Sequence, residues 1–161
     1  MGLYKNIEVD FVERTRENLD YIESSNVTLP QEITHLLNYC YGLLVLPEQK
    51  MNDIIKMMPQ DLSLYGIDPE NITTTKEKCF ENFIRSMRNG FAHAHIQSLA
   101  EDGSEEFVAL SIKDYASQHD IEIGNPHTTI EISLEQLKKF ILKFSQKYIE
   151  CKNILGKNHE N

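Results

Sequence analysis

The chain has 161 residues, 40 % hydrophobic and 25 % charged, a make-up that fits one globular domain over 1–161 with a core of its own. Its 25 acidic residues outnumber 16 basic ones and leave a net charge of −9, which argues against broad nucleic-acid binding and leaves room only for a small cationic site. No apolar run approaches the roughly 18 residues of a membrane helix, the longest, Leu43 to Leu46, being ended by Pro47, and no secretory leader is expected.

Leu3, Ile7, Phe11, Leu19 and Ile22 recur at helical spacing, which predicts an amphipathic first helix over 2–24. Pro30 opens a second segment that is apolar nearly all round to Leu46, a buried central helix. Met51, Ile54, Ile55 and Met58 predict a short third helix ending at Pro59, and Asp61 to Asn71 reads as a loop. Thr74 with Glu77 has the spacing of a capping box, so a fourth helix is expected from there to about His93. His95 to Ala100, an Asp-Gly turn at 102–103 and Phe107 to Ile112 read as a hairpin. Ile121 to Ile123 and Thr129 to Ile132 alternate like further short strands. Ser133 with Gln136 caps a last helix striped by Leu134, Leu137, Phe140, Ile141, Phe144 and Tyr148. The expectation is a mainly α fold: an up-and-down bundle of four to five helices, with a small antiparallel β insert at about 95–132 before the C-terminal helix.

Cys40, Cys79 and Cys151 are odd in number and widely spaced within helix-like patterns, as expected of reduced core thiols in a cytoplasmic protein. No Cys-x-x-Cys or His-x-x-x-His spacing offers a zinc site, and the isolated Gly90 and Gly103 make no phosphate loop. Neither metal nor cofactor is expected. Gly90 inside a helix asks for a reason, and close approach at a dimer seam is one. His35 reads as a core histidine, and His119 and His127 as loop residues with nothing assembled around them.

On the helix over 79–93, Phe80, Phe83, Ile84, Met87 and Phe91 share one side. Asn82, Ser86, Asn89 and His93 form a stripe expected to point away from the core, with Arg85 and Arg88 on its flank. Asn89 can bond across one turn to His93, Arg88 can hold a phosphate oxygen, and His93 can move a proton near neutral pH. Those parts suit RNA cleavage with the 2′-hydroxyl as nucleophile, although one histidine does not easily serve both sides of an in-line displacement. A plain surface helix, with Glu81–Arg85 as its ion pair, accounts for the same stripe.

The block Phe83 to His95, with Arg88-Asn89-Gly90-Phe91-Ala92-His93 at its centre, resembles the Arg-x4-His signature of the HEPN superfamily. Likeness is sharpest over about 75–98, and narrowest to the HEPN group in which β-strands follow the motif before the last helix. The resemblance implies a homodimer whose two Arg88–Asn89–His93 sets converge in one cleft. It implies a metal-independent endoribonuclease acting as a toxin or phage-defence effector, with Arg88, Asn89 and His93 catalytic. Arg85, Asn82, Ser86 and His95 are the expected RNA contacts, and an antitoxin or nucleotidyltransferase is the expected partner. The alternative is a non-catalytic HEPN-fold module that binds RNA, nucleotide or protein; an unrelated helical interaction domain is a third reading.

Overall fold

A computed structural model describes residues 7–24, 32–45, 51–100 and 107–158. Its elements are α1 (Ile7–Ser24), α2 (Glu32–Cys40), α3 (Met51–Met57), β1 (Ile72–Thr74), α4 (Phe80–Ala92), β2 (Ile96–Ala100), β3 (Phe107–Asp114), α5 (Gln118–Glu122), β4 (Thr128–Ser133) and α6 (Leu134–Asn158). The predicted Asp-Gly turn, Leu3, Pro30 and Pro47 lie outside the described residues.

The mainly α bundle with a small β insert is not what forms. The strands make one four-stranded antiparallel sheet in the order β1-β4-β3-β2, and the fold is mixed α/β. Its edge strand β1 precedes α4 in the chain, so the sheet is built from both sides of the motif helix rather than inserted after it. Thr74 is therefore a strand residue. Its hydroxyl accepts from the Lys76 amide at 3.1 Å in a local turn, and α4 starts only at Phe80 behind Cys79, which provides no side-chain cap. The expected strand at Ile121 is instead the short helix α5, because Ser117 takes the N-cap and accepts from the Asp120 amide.

The sheet carries two rows across one face. Register pairs Ile72 with Ile130, Ile130 with Ile112 and Ile112 with Ile96, an isoleucine row spanning all four strands. Ile72, Ile112 and Ile130 are buried and Ile96 packs against the core. Two residues along, the same face bears Thr74, Thr128 and Asp114, with the Thr74 and Thr128 hydroxyls 2.8 Å apart. An apolar row and a polar row thus lie side by side beneath α4.

The apolar side of α4 meets α6. Phe83 meets Phe140 edge-on at 5.3 Å, and Phe80 lies between Tyr65, stacked at 3.8 Å, and Phe144. These rings, with Leu137, Ile141 and Tyr148, are fully buried, and burial of such side chains contributes roughly 1.5–3 kcal/mol each before entropy is set against it. The start of α6 is capped as its sequence predicts: Ser133 Oγ accepts from the Gln136 amide and Gln136 Oε1 accepts from the Ser133 amide, both at 3.1 Å.

Gly90 is where α4 presses on the sheet. A Cβ there would overlap Cγ2 of Ile112 and stand 3.3 Å from the Lys113 carbonyl oxygen. The close approach that this glycine permits is helix on strand within one chain, not helix on helix at a dimer seam.

Candidate active site

With Gly90 seated on the apolar row, the helix residue one turn earlier comes down on the polar row. Ser86 is buried, and its hydroxyl donates to Oδ2 of Asp114 at 3.0 Å. Asn89 Nδ2 donates to Oδ1 of the same carboxylate at 3.0 Å. The third partner is His127, whose Nε2 lies 3.0 Å from Oδ2. Asp114, only 2 % exposed, is thus an acceptor hub that binds α4 to the far end of β3 and to the residue before β4.

The stripe Asn82–Ser86–Asn89–His93 was expected to face away from the core, and it divides instead. Ser86 is inside the domain, so it cannot present its hydroxyl to RNA. Asn82 is half-buried, and its amide donates to the Glu77 carbonyl oxygen at 3.0 Å, holding the approach to the helix. Asn89 is also half-buried. Its Oδ1 accepts from an Arg88 guanidinium nitrogen at 3.3 Å while its Nδ2 is held by Asp114. The side-chain hydrogen bonds of Asn89 thus run to Arg88 and Asp114 rather than to the His93 ring, the partner its spacing predicts; only its backbone carbonyl accepts from the His93 amide, at 3.0 Å.

Arg88 lies half-buried beside Asn89, and Arg85 is exposed, paired with Glu81 at 3.2 Å in the i,i+4 arrangement expected for it. His93 is exposed at the C-cap. Beyond it Ala94 adopts φ +56°, the left-handed region, and two hydrogen bonds close the helix: His95 amide to Gly90 carbonyl at 2.8 Å, and Ala94 amide to Phe91 carbonyl at 3.1 Å. That pair is a Schellman ending with alanine where glycine is usual. The chain leaves it directly into β2, with the His93 and His95 rings 5.8 Å apart and His95 edge-on to Tyr115 at 4.9 Å.

His127 is no isolated loop residue. Nζ of Lys76 lies 2.6 Å from the same Nε2 that faces Asp114, while the buried Nδ1 has no hydrogen-bond partner among the described residues. One imidazole nitrogen can donate to the carboxylate or accept from the ammonium, and the tautomer decides which.

Asp114, His127 and Lys76 were missed by sequence reasoning. One signal was available for Asp114: the alternation Leu110, Ile112 continues to position 114, so an inward-facing carboxylate could be read from the strand. His35 is half-buried, its ring 6.5 Å from Tyr39. Cys40 is buried, Cys79 and Cys151 are half-buried, and all three are free thiols. Among the described residues no helix is long and apolar enough to cross a membrane.

An Arg-Asn pair tied to a buried carboxylate thus stands beside a helix terminus that displays histidine. The family model described as HEPN pEK499 p136 matches residues 1–154, and the chain belongs to the HEPN superfamily. No curated protein matches the chain. No solved structure matches it either.

Proposed function

We propose that the protein is a metal-independent endoribonuclease, a toxin or phage-defence effector that works as a two-fold homodimer in which two Arg88–Asn89–His93 sets share one cleft. Family membership brings nuclease and nucleotide-binding activities to the front. The observation that carries the nuclease reading is the fixation of the Arg88–Asn89 pair: Asp114 holds Asn89 at 3.0 Å and Asn89 holds Arg88 at 3.3 Å. A guanidinium held in advance stabilises charge developing on a phosphodiester without reorganising as it reacts. His93, exposed at the helix end, is open to substrate and can take a proton. Arg85, Asn82 and His95 are the neighbouring RNA contacts of this reading. An antitoxin or nucleotidyltransferase encoded beside the gene is the expected partner.

The test is incubation of the purified protein with total RNA in EDTA. Cleavage that persists in chelator and leaves 2′,3′-cyclic phosphate ends is expected. His93→Ala abolishes it, and Arg88→Ala lowers it by about 10²-fold or more, the scale for removing one electrostatic stabiliser. Cleavage that requires added metal, or full activity in either variant, rejects the mechanism.

A second reading, a non-catalytic nucleotide- or RNA-binding HEPN module, draws support from the same Asn89. Both ends of its amide are already engaged within the fold, and the surface carries a net charge of −9. RNA retained by the protein but left intact under all conditions favours it.

A further inference from the structure

His93 and His95 are two residues apart, a spacing that in a continuing helix sends side chains to opposite sides. Here their ring centroids lie 5.8 Å apart with planes tilted by 30°. The residue between them is the cause. Ala94 at φ +56° breaks the helix and turns both imidazoles toward one end of α4. An L-residue with a Cβ pays roughly 1–2 kcal/mol in that region, so the pairing persists against local strain.

The two rings are held differently. His93 is exposed. His95 is half-buried, its ring set at 80° to Tyr115 and its carbonyl oxygen accepting from the Lys113 amide at 3.0 Å, which anchors it to β3.

We infer that His95 is the general acid of the cleavage reaction, working with His93 as general base on the same protomer. The inference rests on the ribonuclease reading. Transfer of phosphorus from O5′ to O2′ needs one proton removed and another delivered, at two oxygens on opposite sides of the phosphorus. A ring nitrogen of His93 takes the O2′ proton as the O2′–P bond forms. The P–O5′ bond breaks, and the His95 imidazolium gives its proton to O5′. The products are a 2′,3′-cyclic phosphate and a 5′-hydroxyl. Exchange with water then removes the proton from His93 and returns one to His95, so the cycle closes without any other reactant. The second proton site thereby comes with each protomer, set by Ala94 and Tyr115, rather than from a second copy of His93 across an interface.

Leaving-group chemistry tests this directly. Wild type, His93→Ala, His95→Ala and His95→Gln are assayed on RNA and on uridine 3′-(4-nitrophenyl phosphate), whose phenolate departs without needing a proton. The expected result is that both His95 variants lose RNA cleavage by about 10²–10⁴-fold yet keep nitrophenyl ester cleavage within a few-fold, which also shows that they fold. His93→Ala loses both substrates. The pH–rate profile of wild type is bell-shaped on RNA, and on the ester it keeps only its rising limb. RNA cleavage at the wild-type rate in His95→Ala overturns the inference and leaves the ribonuclease reading standing. Equal loss of both substrates in both His95 variants likewise overturns it, as does selective ester cleavage by His93→Ala. A wild-type protein inert on both substrates overturns the ribonuclease reading itself, and this inference with it.

Discussion

Nδ2 of Asn89 donates to Oδ1 of Asp114 across 3.0 Å, tying the second residue of the Arg-Asn motif to the last residue of β3. The bond makes Asn89 a structural residue whatever else it does. Its partner is buried and already accepts from Ser86 and faces His127.

Asn89→Asp is therefore expected to destabilise the fold, in contrast to the small effect of such a change at an exposed seam. It places a carboxylate against the Asp114 carboxylate, and the two must share a proton or separate. The sign follows from linkage: the folded pair binds a proton that the unfolded carboxylates release, so stability falls as pH rises above the ordinary carboxylate range. Urea unfolding should show a loss of about 3 kcal/mol at pH 8 that shrinks toward pH 5, whereas Asn89→Ala gives a smaller loss that varies little with pH. Equal midpoints for Asn89→Asp and wild type at pH 8 would mean the Asn89–Asp114 bond is absent in solution.

Gly90→Ala sets two effects against each other. Alanine gains about 1 kcal/mol in helix propensity, but its Cβ overlaps Cγ2 of Ile112. Overpacking of this kind costs about 1–3 kcal/mol, and the contact involves the middle of a packed sheet, so net destabilisation is expected. Leucine has no methyl group on Cβ, so Ile112→Leu should recover part of the loss. A double-mutant cycle by chemical denaturation measures the coupling, and simple additivity would show that α4 does not press on β3 at this point.

Ala94→Gly should raise stability by about 0.5–1 kcal/mol, because relief of the left-handed strain exceeds the extra entropy of an unfolded glycine. Calorimetry reads it as a higher Tm. An unchanged or lower Tm would place Ala94 in an unstrained conformation.

Alkaline pH should weaken the fold. Burial pushes the Cys40 thiol above its ordinary range. Burial, followed by the charge of Cys151, pushes up the Tyr65 phenol, which donates to the Pro59 carbonyl oxygen at 2.9 Å. Both groups stay protonated in the fold after their unfolded counterparts, with pKa values of about 8.5 and 10, have ionised. The unfolded state then binds fewer protons, so stability is full below about pH 8.5 and declines as pH rises from there. Cys40→Ala should flatten the first part of that decline in urea midpoints taken from pH 8 to 11. An identical slope in the variant would remove Cys40 as its source.

What could be read from the sequence followed from short-range physics. The Ser133–Gln136 capping box, the aromatic stripe of α6 and the Glu81–Arg85 pair each depend on residues within one or two helical turns. The same logic failed where a distant partner decides. Thr74 and Glu77 have capping-box spacing, but Ile72-Thr73-Thr74 is claimed by β4 through the pairing of Ile72 with Ile130. Alternation at Ile121 and Ile123 lost to a side-chain cap from Ser117. The Arg-Asn-His segment itself was legible, whereas the carboxylate beneath it was not, because Asp114 reaches Asn89 only after β3 has folded back under α4.

The split origin of the sheet also sets an order of events during synthesis. Arg88, Asn89 and His93 are made well before Asp114 and Thr128, and β1 waits for β4 before it has any strand beside it. The contacts that tie Asn89 and Ser86 to Asp114 are therefore late, long in sequence separation and slow to close by that measure. A chain still emerging from the ribosome carries the complete motif without its support. Only when β3 and β4 have been translated can Asp114 and the paired edge strand close around it.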